Sequence, residues 1–126
     1  MSTEKIYTQH EENQGWHQKM SFYKDEIMVM QNRLGEVVNK NTSKDMLAQA
    51  EHFQNKFIVF KNNVDELNHK INLSEDKLMN HIKQNPTAVD HRKVEDHADV
   101  REEVTAMEKS FTDLRGEVTS YLSKWM

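Results

Sequence analysis

The sequence predicts an all-α fold, an up-down-up antiparallel three-helix bundle with coiled-coil-like heptad packing. Three observations carry that expectation. Three Gly and one Pro among 126 residues leave too little turn chemistry for a sheet protein, whose hairpins need special backbone angles. Two breaks, Lys40 to Ser43 and Gln84 to Thr87, divide the chain into three stretches of similar length. Within each stretch apolar residues recur at alternating steps of three and four, the stripe of a helix that buries one face.

The first helix is expected from Thr3 to Lys40, with Trp16, Met20, Tyr23, Ile27, Met30, Leu34 and Val37 on its stripe. Thr42 or Ser43 can cap the second, and Asp45 favours its first turn by opposing the helix dipole. That helix is expected from Ser43 to Gln84, with Met46, Ala50, Phe53, Phe57, Phe60, Val64, Leu67 and Ile71 inward. Pro86 lacks an amide proton and pushes Asn85 out of helical geometry, so the second helix stops there. Asp90 follows Thr87 at capping-box spacing, with Asp in place of the usual Glu. The third helix is therefore expected from Thr87 to Trp125, carrying Val100, Val104, Met107, Phe111, Leu114, Val118, Tyr121 and Trp125. At about 1.5 Å per residue each rod runs roughly 55 to 60 Å, and residues 1–126 form one domain.

Residues at one height in an antiparallel pair have numbers of constant sum, and the three stripes keep one such register throughout. It sets Tyr23 opposite Phe60, Phe60 opposite Phe111, and the small Ala50 between Leu34 and Tyr121.

Bulk composition narrows the function. The chain has no Cys, and the opening MSTEKIYTQHEEN lacks the apolar run of a secretion signal, so a cytoplasmic location is expected. No stretch reaches the roughly 18 consecutive apolar residues of a membrane span. A net charge of -4 with intermixed signs offers no clustered cations for phosphate, so neither nucleic acid nor an anionic membrane is an expected partner.

The stretch NKFIVFKNN, Asn55 to Asn63, departs from the stripe. Phe57 and Phe60 belong to the seam, but Ile58 and Val59 fall on the back of the helix, normally polar. The first helix repeats the pattern nearby, with Met28 and Val29 outward and Phe22 one heptad before Val29. This belt on the first two helices is read as a docking face for a second copy or a partner helix, with a homodimer expected. The plainer reading is a widened buried stripe. Eight Met residues fit both, since Met fills seams and also suits adaptable surfaces.

Six of the seven His (His10, His17, His69, His81, His91 and His97) fall in the half of the bundle nearer the second break, among many acids. The register there gives a polar layer of Gln9, Ser74 and His97, which is expected to fix alignment by hydrogen bonding. No metal is expected; were one bound, or a small ligand, His10, Ser74 and His97 would be the candidates. Glu66 and His69 make a single Glu-x-x-His, but both fall away from the seam, and a di-metal bundle needs two such pairs facing inward. No His is followed at the right spacing by the Lys and Gly of a phosphotransfer site, and there is no Gly-x-Ser-x-Gly elbow or phosphate-cradling Gly loop. The expectation is a non-enzymatic interaction protein without cofactors, and a bundle too slender to hold a ligand-sized cleft.

Overall fold

The computed structural model describes residues 3–87 and 93–125. Its architecture is a three-helix bundle of α1 (Ile6–Lys40), α2 (Lys44–Gln84) and α3 (Ala98–Trp125). Two short strands, β1 (Thr3–Lys5) and β2 (Lys93–Glu95), pair antiparallel at the end away from the α1–α2 turn.

The seam residues of α1 and α2 are all buried, and in α3 Val104, Met107, Phe111, Leu114, Val118 and Tyr121 are too. Val100 and Trp125 are partly buried against the same core. The register appears in ring contacts: Phe60 lies 6.0 Å from Tyr23 and 5.9 Å from Phe111, centroid to centroid. At the opposite end the Tyr121 hydroxyl donates to the Met46 carbonyl at 2.9 Å, tying the end of α3 to the first turn of α2. Ser43 caps α2 as expected, its Oγ accepting from the Met46 amide at 3.5 Å.

Two helix boundaries differ from expectation. Helix α1 begins at Ile6 rather than Thr3, and α3 begins at Ala98 rather than Thr87. The capping box assigned to Thr87 and Asp90 has its acid outside the described residues. Before His97 the seam positions carry little apolar surface, and without a face to bury, a helix gains little from tertiary packing. Pairing instead satisfies the backbone: Thr3 lies opposite Glu95, Glu4 opposite Val94 and Lys5 opposite Lys93. Gln9, buried on α1, donates its amide to the Glu95 carbonyl at 2.5 Å and fastens β2 to the bundle.

Among the described residues, the late start of α3 leaves the last turns of α2 without a third helix alongside. A cleft of about 1250 Å³ opens there, lined in part by Leu73, Leu78, Val94 and Val100. The expectation of a bundle without a ligand-sized cleft is thereby corrected: a strand is narrower than a helix and does not fill the missing third of the bundle. Among the described residues, no helix is long and apolar enough to cross a membrane.

Candidate functional site

All five belt residues are exposed: Phe22 by 47%, Met28 by 58%, Val29 by 46%, Ile58 by 55% and Val59 by 57%. They are far from equivalent, because the contacts beside them sort them into three sectors. Lys24 pairs with Asp65, and His17 hydrogen bonds Asn68 at 2.7 Å, both across the α1–α2 groove. Met28 stands one turn beyond Lys24, and Ile58 one heptad before Asp65, so both flank that groove. Lys19 pairs with Glu108 and the Phe22 ring lies 5.9 Å from Phe111, so Phe22 leans onto α3, with Val29 one heptad further on the same side. Val59 follows Lys56, which reaches Glu117 of α3 at 2.7 Å, and belongs to the α2–α3 side. Exposed Leu47, three turns before Ile58, extends the α1–α2 face.

The polar end is organised around His97 and Arg101. The imidazole is nearly enclosed, with its Nδ1 2.9 Å from Ser74 Oγ on α2. Nε2 lies 3.2 Å from Glu4 Oε1 and 3.1 Å from Glu12 Oε1, and the ring packs against Trp16, tilted by 44° with centroids 4.7 Å apart. One turn along α3, Arg101 grips Glu12 with two donors, Nε at 2.9 Å and Nη2 at 2.8 Å. It grips Asp96 in the same forked manner, at 2.9 and 3.2 Å, and reaches Glu4 at 3.3 Å. Five groups thus converge from β1, α1, the β2–α3 link and α3.

Electrostatics follow from that crowding. Burial, the hydrogen bond to Glu12 and the repulsion of Glu12 and Asp96 push the Glu4 carboxyl up to about 7. Burial acts the same way on Glu12, but hydrogen bonds from Arg101, Glu4 and His97 outweigh it and hold Glu12 below its ordinary value. Asp96 is also held low, chiefly by its hydrogen bond to Arg101. Those same partners raise Arg101, which stays charged at every accessible pH.

The sequence grouped His10 with His97; the structure separates them. His10 Nδ1 meets Glu75 Oε1, while the other oxygen of Glu75 accepts from Asn13 Nδ2 at 2.7 Å. Ser74 does join His97, and Gln9 serves β2 instead. His91 lies outside the described residues. Oxygen and nitrogen atoms of Glu4, Glu12, Asp96 and His97 fall within 4.8 Å of one another, a spacing a cation would fit. The cationic place among the three carboxylates is already held by the Arg101 guanidinium, so we read the cluster as a charge network closed by arginine.

Glu4 and Arg101 escaped the sequence reading. Arg101 carried one usable signal, its place one turn after His97 on the same side of α3. Glu4 carried none, because its position depends on a strand pairing that heptads do not encode. No protein-family model, curated protein or solved structure matches the chain.

Proposed function

We propose that this is a non-enzymatic interaction protein that self-associates as a dimer through the outer α1–α2 face. The observation that supports the reading is the pair Met28 and Ile58, each more than half exposed, flanking one groove on the side away from α3. Soluble helices place polar residues there, and large apolar groups gain only when a partner covers them.

A second copy of the chain suits this face better than an unrelated helix. Lys61 follows Ile58 by one turn, on the side of the apolar pair where Lys24 is already paired with Asp65. Glu51 lies one heptad before Ile58, on the other side. Half a turn about an axis through the pair sets Lys61 of each copy towards Glu51 of the other, the self-complementarity an isologous contact requires. Burying Met28, Ile58 and Leu47 from both copies would add roughly 1.5 to 3 kcal/mol for each side chain fully covered.

Light scattering on the purified protein across micromolar concentrations is the direct test. A dimer is expected for the native chain, a monomer for Ile58→Asp with its helical circular dichroism intact, and a dimer for Val59→Asp, which changes a different sector. A native chain monomeric throughout, or an Ile58→Asp protein still dimeric, would defeat the reading.

A further inference from the structure

Three carboxylates face one permanent positive charge in the Glu4–Glu12–Asp96–His97–Arg101 cluster. Their side chains are only 16%, 24% and 15% exposed, so water screens the excess poorly. Glu12 and Asp96 each hold a forked pair with Arg101, whereas Glu4 meets Arg101 only through long contacts at 3.3 and 3.4 Å and lies 3.2 Å from His97 Nε2. Glu4 is the group that relieves the crowding most cheaply by taking a proton, since its carboxyl can then donate to Glu12. It also sits in the middle of β1, a strand of three residues with a single neighbour. Little else holds β1 down, because a two-stranded ladder of that length is not stable by itself.

We propose that this cluster is a proton-operated latch: with Glu4 protonated, β1 is clasped to β2 and the start of α3, and with Glu4 ionised, β1 detaches while the three helices stay packed. Among the described residues, the groups that face Glu4 are Glu12 from α1, Asp96 and His97 from the β2–α3 link, and Arg101 from α3; α2 contributes the Ser74 hydroxyl, through His97. The Glu4 carboxyl, raised from 4.5 to about 7, supports closure fully below pH 4.5 and loses that support as pH climbs through 7. Glu12 and Asp96 run the other way: both are lowered, so their contribution is present above their ordinary values of 4.5 and 3.8 and fades as acid protonates them. The clasp is therefore tightest in a mildly acidic window just above pH 4.5, and it slackens as pH climbs through 7 and again in stronger acid as Glu12 and Asp96 take up protons. Asp96 and His97 also line the cleft beside α2, so release of β1 alters one wall of that space.

Amide hydrogen exchange on the full chain tests the latch, with rates corrected for the intrinsic pH dependence of exchange. Protection of β1 and β2 amides is expected to fall by roughly tenfold or more between about pH 5 and about pH 8, while amides around Phe57 and Val64 keep theirs. Glu4→Gln keeps a donor for Glu12 and cannot ionise, so its strand protection is expected to be the same at both pH values. Equal strand protection at the two pH values in the native chain would overturn the proposal. So would a Glu4→Gln protein that loses protection as the native chain does.

Discussion

The indole of Trp16 lies 4.7 Å from the imidazole of His97, centroid to centroid, and this contact joins the apolar core to the charged end of the bundle. On one side Trp16 belongs to the continuous core; on the other His97 shares hydrogen bonds with Ser74 and Glu12. His97→Ala is expected to cost about 1 to 3 kcal/mol, because it uncovers the indole and strands the polar groups that His97 satisfied. In a Trp125→Phe background the emission of Trp16 should shift to the red. An unchanged emission maximum would mean that the ring contact does not shield the indole.

Neighbouring residues in the apolar run of α2 should respond in opposite ways. Phe57 is fully buried, and Phe57→Ala is expected to lose about 3 to 5 kcal/mol in urea unfolding. Ile58→Ala, one residue on, should change the stability of the monomer by less than about 0.5 kcal/mol. Comparable losses at both positions, measured below the concentration at which the chain associates, would show that the belt is part of the core.

Arg101→Lys keeps the charge and loses both forked grips, on Glu12 and on Asp96. A loss of about 1 kcal/mol is expected, small because the arginine side chain is 37% exposed. Thermal melts should show a smaller deficit at about pH 8 than at about pH 5, because Glu4 has by then ionised and left the cluster with β1, and Arg101 has fewer partners to lose.

Gly116 lies within α3 with nothing within 4 Å of where a Cβ would stand. Gly116→Ala should raise stability by about 0.5 to 1 kcal/mol through the lower helix propensity of glycine, read as a shift in the urea midpoint. No gain would indicate contact from outside the chain at that position.

What the sequence revealed was the periodic part of the molecule. A stripe such as Phe53, Phe57, Phe60 and Val64 fixes a helix, its inward face and its alignment with both neighbours, because burial repays every matched layer. The exposure of Met28 and Ile58 followed from the same periodicity, since a residue off the stripe has only the outside left. The sequence was silent on which exposed residues share a groove; Phe22 touches Phe111 of α3, whereas Met28 follows Lys24, which pairs across to Asp65 of α2. The charged end was legible only as a district: its histidines and acids were visible, but Glu4 and Arg101 were not. Their meeting depends on Thr3–Lys5 pairing with Lys93–Glu95, a contact between distant short segments with no periodic signature.

That pairing also dictates an order of assembly. During synthesis Thr3–Lys5 leaves the ribosome long before Lys93–Glu95 exists, so the earlier strand must wait for about ninety further residues before its ladder can form. Closing so long a loop is entropically costly until α1 and α2 have already folded back on each other. The β ladder should consequently be the last of the described elements to form and the first to come apart, and truncation before Lys93 should leave a helical hairpin with Thr3–Lys5 unfastened.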